Sequence, residues 1–312
     1  IYSLGVPPSA IFSGAPFKSG NYAPEGEESV DDMTLFEALT KSENNVSLRV
    51  MNYILNNAGV TALQDWGARL GLSYKFAGYI AEGLGLDGTL YDLVRSYSVF
   101  ALLGRAQEIV SVKKIEDVEG NVISDMRFFG DPSLGLGDTI GVMHKSLFKE
   151  KARVVDRGAA YITAMNLREV VKSGTAKRAA KFKAPIAGKT GTLPYDVWFA
   201  GFTPEYTGAV WIGSDKRERI LGKNKKNSQV FGANTALPIW LDFMESALAA
   251  EKQRDPLSEP PEEIVTVQID PATGLLAREK GIPIPHLKGT EPTEYPPLPD
   301  EPVFEKLLTS EF

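Results

Sequence analysis

Cysteine is absent from the 312-residue sequence, and histidine occurs only twice. Without cysteine the chain can form neither disulfides nor thiolate metal sites, and this absence leaves the cellular compartment open. His144 and His286 lie far apart in the sequence, which argues against a Ser-His-Asp triad and against a histidine-based zinc site. We therefore expect neither a metal ion nor a cofactor.

Long apolar runs and basic clusters are also missing. The sequence has no run of about 18 apolar residues and therefore no predicted membrane span. Residues 1–16 lack the basic start and the apolar core of a signal peptide. A mature protein or an excised fragment would look the same. The net charge of −6, without a basic stripe, argues against a nucleic-acid partner. A hydrophobic content of 43% and a charged content of 24% are those of a globular protein with one large or two modest domains.

The most informative stretch is Lys-Thr-Gly-Thr at residues 189–192. It follows the mostly apolar residues 182–186 and precedes the aromatic, strand-like residues 197–202. We expect residues 189–192 to form the exposed end of a strand that enters a site from the side of a sheet.

Two chemistries use a Gly-Lys-Thr sequence. A phosphate-binding loop requires a glycine at position 183, which is Lys183 here. The other is the Lys-Thr-Gly strand of serine acyl-transferases that act on D-alanyl peptides and β-lactams. In such a strand the lysine supplies a positive field and the hydroxyls hold a substrate carboxylate, while the glycine lets the substrate lie flat.

A second candidate segment lies in the N-terminal third, where residues 31–104 are predicted to be mainly helical. Ser42 and Asn44 occupy a short polar interruption between two helical runs, which could aim them into a cleft. The alternative is ordinary helix capping, because serine and asparagine are common at helix starts.

The remaining elements follow from periodicity and turn signals. Residues 197–204 and 206–213 are predicted strands, which with the Lys-Thr-Gly strand form an antiparallel meander. The other predictions are a strand at 108–118 with a return strand from 122, a helix at 156–172, and a helix at 234–252 whose buried stripe is Ile239, Trp240, Phe243, Met244 and Leu248.

The composition changes after residue 252. Eleven of the 20 prolines lie between Pro256 and Pro302, and only residues 264–269 have a strand pattern there. We predict a main domain at 1–252 and a C-terminal extension at 253–312, consisting of one strand or hairpin and a proline-rich tail.

Ser42-Glu43-Asn44, followed by Lys189-Thr190-Gly191-Thr192, resembles the motifs of the penicillin-binding proteins. The flanking segments at 36–44, 169–176, 187–204 and 265–274 are similar to the class A, bifunctional branch of that family. The resemblance covers most of residues 1–275.

The resemblance implies an α+β fold of the penicillin-binding protein and serine β-lactamase type. This fold has an antiparallel sheet of about five strands, flanked by helices, and an all-helical lobe. The active site lies between the sheet edge and the lobe, which residues 31–104 would supply. Residues 108–126, 185–213 and 234–252 would form the sheet layer.

The implied activity is that of a D,D-transpeptidase, which cross-links peptidoglycan stem peptides through a serine acyl-enzyme and is acylated by β-lactams. Ser42 would relay protons toward the leaving group and Asn44 would hold the substrate amide. Lys189 would set the electrostatic field. Family membership also implies a tether to the membrane by a segment outside this chain, with the domain in the periplasm or on the outer face of the cytoplasmic membrane.

The resemblance assigns substrate binding to the same strand. Thr190 and Thr192 hydroxyls would bind the terminal carboxylate, the Thr192 N–H would be one oxyanion donor, and Gly191 would let the substrate pair with the strand.

The sequence departs from the family at the nucleophile. Relatives carry it in a Ser-x-x-Lys motif before Ser-x-Asn, and no such motif occurs in residues 1–41. Ser111-Val-Lys-Lys114 and Ser146-Leu-Phe-Lys149 fit the bare pattern but follow Ser-x-Asn, so we interpret both as chance matches. We expect the nucleophile outside this chain.

Two alternatives to a transpeptidase remain. One is a non-catalytic module that binds peptidoglycan or a partner protein. The other is a β-lactamase, which requires a deacylating carboxylate, and no glutamate stands in a sequence context that suggests one.

Overall fold

The fold was obtained from a computed structural model. It describes residues 1–20, 22–24, 28, 30–107, 111, 112, 114–125, 153–214, 216, 218, 230–251 and 255–297. Within these residues no helix is both long and apolar enough to cross a membrane.

The helices form a lobe and a central layer. Thr34 and Thr89 begin α1 and α4 by accepting a hydrogen bond from the backbone N–H three residues on. Asp156 does the same for the long helix α5. The helices are α1 (Leu35–Lys41), α2 (Asn44–Asn57), α3 (Gly59–Leu70), α4 (Leu90–Ala101), α5 (Arg157–Lys172) and α6 (Ala236–Ala247), with 3-10 turns at Tyr2–Leu4, Ile80–Gly83 and Lys177–Lys181.

All strand pairs among the described residues are antiparallel. The predicted meander is confirmed as the sheet β5–β6–β7, in which β5 is an edge strand. This sheet contributes three strands to the α+β fold, where the resemblance implied about five. The strands are β1 (Ile11–Phe12), β2 (Met33–Thr34), β3 (Lys114–Glu116), β4 (Val122–Asp125), β5 (Ala187–Thr192), β6 (Asp196–Phe202), β7 (Thr207–Gly213), β8 (Ile264–Ile269) and β9 (Ile282–Leu287).

Helices cover both faces of the sheet. On one face α6 buries Trp240 against Phe199 of β6, with ring centroids 5.1 Å apart. The predicted stripe of α6 is wrong at two positions, because Ile239 and Phe243 are 51% and 63% exposed. Trp240 and Met244 are one turn apart and face the sheet, which leaves the residue before each of them on the solvent side.

The C-terminal hairpin β8–β9 packs on the main body. Ile269 and Ile284 are buried in a cluster with Phe36 of α1. His286 is fully buried, and its Nε2 lies 2.9 Å from Ser9 Oγ. The prediction was one strand or a hairpin, and the structure has the hairpin. Only β8 has a strand pattern in the sequence, because Pro283 and Pro285 within β9 suppress the strand signal.

Several predicted features fall outside the described residues. These are Ser146-Leu-Phe-Lys149, residues 108–110 and 113 of the predicted strand at 108–118, and the tail beyond residue 297. Of the described residues in the predicted strand, only Lys114–Glu116 form a strand, β3, and it pairs antiparallel with the return strand β4.

Candidate active site

A cleft of about 480 Å³ lies between the edge strand β5 and the helical lobe. Residues 189–192 line one wall. The other wall comes from the 3-10 turn at 80–83, the loop 84–89 and the first turns of α4. Helix α4 also packs on β6 and β7, which fixes the lobe against the sheet. The predicted position of the site, between the sheet edge and the lobe, is where this cleft lies.

Ser42 contacts Lys189 of β5, although 147 positions separate the two residues in the sequence. Lys189 Nζ donates a hydrogen bond to Ser42 Oγ at 2.8 Å and a second one to the Thr190 carbonyl at 3.0 Å. A hydroxyl that accepts from an ammonium group keeps its own proton available for donation. The pair can therefore pass a proton while the positive charge stays in place.

The backbone of Ser42 adopts an unusual conformation at the end of α1. Its φ of 64° and ψ of 48° lie in the left-handed region, which glycine or asparagine usually occupies at a helix end. A serine there costs on the order of 1 kcal/mol. The conformation lets α1 end at Lys41 and α2 begin at Asn44, with the Ser42 hydroxyl directed at Lys189.

Burial changes the proton affinity of Lys189. Removal of the ammonium group from water lowers the pKa of Lys189 from 10.5 to about 8. Since a lysine is charged below its pKa, the ammonium form predominates at neutral pH and is lost as the pH rises through about 8.

This pKa predicts an alkaline limb in the pH profile. If the ammonium form is required, the rate of acylation by a β-lactam in the complete enzyme should fall about tenfold per pH unit above pH 8, the pKa of Lys189. A Lys189→Arg variant, whose guanidinium stays charged, should show lower activity without this limb. The measurement is the second-order acylation rate from pH 6 to 10. An identical limb in both proteins would assign it to another group.

The hydroxyls of Thr190 and Thr192 are each held by a neighbour. Thr190 Oγ1 lies 2.8 Å from Thr175 Oγ1, in the turn after α5. Thr192 Oγ1 accepts a hydrogen bond of 3.1 Å from the N–H of Gly232. Both threonines line the cleft. Neither Thr175 nor Gly232 was identified from the sequence, since both contacts join segments that are distant along the chain.

The backbone of β5 presents a donor to the open edge. Leu193 donates its N–H to the Asp196 carbonyl at 2.8 Å, in the direction of β6. Because N–H groups alternate in direction along a strand, the N–H of Thr192 points away from β6. This is the direction that an oxyanion donor needs.

Gly191 keeps the strand surface flat beside Trp198. A Cβ atom at position 191 would lie 3.2 Å from the Cβ of Trp198, its cross-strand partner. Both residues line the cleft, so any side chain at position 191 would enter the space next to the indole.

We predict that Gly191→Val weakens acylation and leaves the melting temperature nearly unchanged. Valine favours strands and requires a shift of only a few tenths of an ångström at Trp198, but its methyl groups would enter the cleft, where the family resemblance implies that the substrate pairs with the strand. Thermal unfolding and acylation rates of the variant test this. A large fall in stability with normal acylation would make Gly191 a structural glycine.

Asn44 is the first residue of α2 and is exposed. The helix before it is anchored by a buried polar network. Asn166 of α5 donates to the Phe36 carbonyl at 2.8 Å and to Thr40 Oγ1 at 3.1 Å, and accepts from the Tyr2 hydroxyl. The network fixes the last turn of α1, and with it Ser42.

Two buried carboxylates on the lobe side of the cleft were not predicted. Burial favours the neutral acid of Glu82, yet hydrogen bonds from Ala77, Tyr74, Gly78 and Tyr79 prevail and lower its pKa. The pKa of Asp92 is lowered similarly, since bonds from Ser73 and Thr89 outweigh its burial. Glu82 holds the adjacent backbone at 77–79, and Asp92 of α4 holds Ser73 and the start of its own helix at Thr89, so both carboxylates are weak bases.

Comparison with known proteins agrees with this geometry. Residues 13–232 match the family model described as the penicillin binding protein transpeptidase domain. The chain is 33% identical over 285 residues to penicillin-binding protein 1A of Aquifex aeolicus, covering 89% of this chain and 34% of the relative. With penicillin-binding protein 1A of Pseudomonas aeruginosa it shares 30% identity over 276 residues, covering 77% and 32%. The chain thus spans about a third of these relatives.

Solved structures show the same fold. The crystal structure of penicillin-binding protein 1A from Haemophilus influenzae superposes with a TM-score of 0.74 at 25% identity, covering 94% of this chain and 47% of that one. PonA1 from Mycobacterium tuberculosis gives a TM-score of 0.65 at 19% identity, covering 83% and 68%. The resemblance and the fold class predicted from the sequence are confirmed, and the chain belongs to the penicillin-binding protein transpeptidase domain family.

Proposed function

We propose that this domain is the peptidoglycan D,D-transpeptidase unit of a larger enzyme. The observation that carries the proposal is the contact of 2.8 Å between Ser42 Oγ and Lys189 Nζ, since Lys189 belongs to β5 and lines the cleft. A partly desolvated ammonium group beside a hydroxyl is the kind of perturbed pair that enzymes use for proton transfer.

The proposed reaction proceeds through a serine ester. The nucleophilic serine attacks the carbonyl between the last two D-alanines, the peptide bond breaks, and the leaving nitrogen takes a proton by way of Ser42. An amine of a neighbouring stem peptide then attacks the ester, which forms the cross-link and returns a proton to the serine. Water in place of the amine gives a carboxypeptidase reaction. A β-lactam forms the same ester by opening its ring.

The other site residues are proposed to bind the substrate and to stabilise charge. Lys189 holds positive charge next to Ser42, and Asn44 binds the substrate amide. Thr190 and Thr192 hydroxyls bind the terminal carboxylate. The substrate pairs with β5 as an added strand, for which Gly191 leaves room and the Thr192 N–H stabilises the oxyanion.

The nucleophile is proposed to come from a segment outside residues 1–312. A mainly apolar groove of about 410 Å³ is lined by Ile1 and Tyr2, and also by Leu39 and Val46, which flank the turn that carries Ser42. Chain preceding Ile1 would emerge within this groove. We place the helix with the Ser-x-x-Lys motif there, with its serine directed at Ser42 and Lys189.

The other hypotheses fit the geometry less well. A module that only binds has no need of a half-buried lysine whose pKa is lowered toward neutrality. A β-lactamase needs a carboxylate that activates water, and Glu82 and Asp92 are both occupied by hydrogen bonds from neighbouring residues.

The substrates suggest the location. Stem peptides lie outside the cytoplasmic membrane, so we place the domain in the periplasm or on the outer face of the cytoplasmic membrane, tethered to that membrane by a segment outside this chain.

The test uses the complete enzyme with a peptide that ends in D-Ala-D-Ala and an acceptor amine. Release of D-alanine and formation of the new amide, both blocked by benzylpenicillin, would support the proposal. The same peptide ending in L-Ala-L-Ala is the matched control. Binding of peptidoglycan without any D-alanine release would favour the non-catalytic module.

A further inference from the structure

Thr175 contacts the substrate-binding strand without lining the cleft itself. Its Oγ1 lies 2.8 Å from Thr190 Oγ1, and either hydroxyl can be the donor. Thr190 is part of the cleft wall, whereas the described residues of that wall do not include Thr175. Any influence of Thr175 on a bound ligand therefore passes through Thr190.

The turn that carries Thr175 has little freedom to move. A Cβ atom at Gly174 would lie 2.3 Å from the Thr40 carbonyl oxygen, so only glycine permits this approach to α1. Gly174 and Ala176 both donate to the Val170 carbonyl, each at 3.1 Å. Ala176 is fully buried in the core beneath the sheet. The Thr175 hydroxyl is thus held in place between the end of α1 and strand β5.

A bound carboxylate would decide which of the two threonine hydroxyls is the donor in this pair. An ionised carboxylate can only accept hydrogen bonds, so a carboxylate on Thr190 requires the Thr190 proton. The hydrogen bond between the two threonines then needs the Thr175 proton. The hydroxyls become a chain in which Thr175 donates to Thr190 and Thr190 donates to the carboxylate.

We propose that Thr175 is a positioning residue that makes the Thr190 hydroxyl a donor toward the substrate's terminal carboxylate. The inference rests on the proposed transpeptidase function and adds to it a determinant of carboxylate recognition. In a chain of hydrogen bonds each donor polarises the next, so the contact to the carboxylate is stronger with Thr175 present. Without it, the Thr190 hydroxyl can rotate away from the ligand.

The test compares Thr175→Val with Thr175→Ser in the complete enzyme. Valine keeps the branched shape and removes the hydroxyl, while serine keeps the hydroxyl. The substrates are an acyl-D-alanyl thioester whose thiol leaving group ends in a free carboxylate, and the same compound as its methyl ester. Loss of one hydrogen bond should raise KM for the acid on the order of fivefold in Thr175→Val, with kcat nearly constant. The ester should be unaffected, and Thr175→Ser should behave like the wild type.

The ratio of kcat/KM for acid and ester is independent of the active fraction, so partial unfolding of a variant does not alter it. An unchanged ratio in Thr175→Val would overturn the inference, as would an equal loss for both substrates. A wild-type enzyme that turns over both substrates without preferring the acid would overturn it as well, while the proposed reaction would stand. A wild-type enzyme that turns over neither substrate would overturn the proposed function together with the inference.

Discussion

Lys189→Ala is expected to slow acylation of the complete enzyme by penicillin by about two to three orders of magnitude, as does loss of other preorganised electrostatic elements. Lys189 Nζ donates to Ser42 Oγ and to the Thr190 carbonyl, so the substitution removes the charge and releases both partners. The acylation rate with a fluorescent penicillin is the measurement. Acylation at the wild-type rate would refute the assignment of the site.

Lys183 offers a matched control, since it is an exposed lysine six positions away on the same segment. Lys183→Ala should keep the wild-type rate, because the residue does not line the cleft.

Stability measurements separate a local loss from unfolding. The pKa of Lys189 is lower in the folded chain than in the unfolded one, so folding opposes its charge below pH 8 and this penalty fades as the pH rises toward 10.5. Lys189→Met, which fills the same space without charge, should therefore raise the melting temperature at neutral pH while acylation is lost. Loss of both activity and stability would contradict this account.

Residues 1–312 alone are expected to form no covalent adduct with penicillin, whereas a chain extended upstream through a Ser-x-x-Lys motif should carry one penicilloyl group on that serine. A serine hydroxyl becomes nucleophilic only beside a base. Ser42 accepts a hydrogen bond from the Lys189 ammonium group, which cannot accept a proton. Intact-mass spectrometry of both proteins after incubation gives the answer, with peptide mapping to locate the ester.

The extended chain with its Ser-x-x-Lys serine changed to alanine is the control and should remain unlabelled. An adduct on the short chain at Ser42, Ser111 or Ser146 would show that the nucleophile lies within residues 1–312. An extended chain that folds and stays unlabelled would favour the non-catalytic module.

The central part of the site could be predicted because short motifs encode it locally. The turns between β5, β6 and β7 are short, so the meander and the edge position of Lys189 follow from the sequence. The meeting of Ser42 with Lys189 required the family resemblance, since no local rule joins residues 147 positions apart.

Other features depend on packing that the pattern does not contain. The Thr175 contact to Thr190 arises because α5 ends beneath the sheet, and the roles of Glu82 and Asp92 depend on loop conformations. Ile239 and Phe243 are apolar and at helical spacing, yet the orientation of α6 exposes both. In each case the tertiary arrangement decides what the residue does.

The prolines of β9 have a consequence for how this protein meets other chains. Pro285 and Pro283 pair in register with Thr266 and Gln268 of β8, so the ladder bonds belong to the residues between them. The backbone nitrogens of both prolines therefore face away from β8 and carry no hydrogen. The outer side of the hairpin lacks donors at these two positions and cannot pair there with the edge of another strand. Strand β9 is largely buried and lacks a donor at two positions, whereas the β5 edge keeps its donors and a glycine and can pair with a specific partner strand.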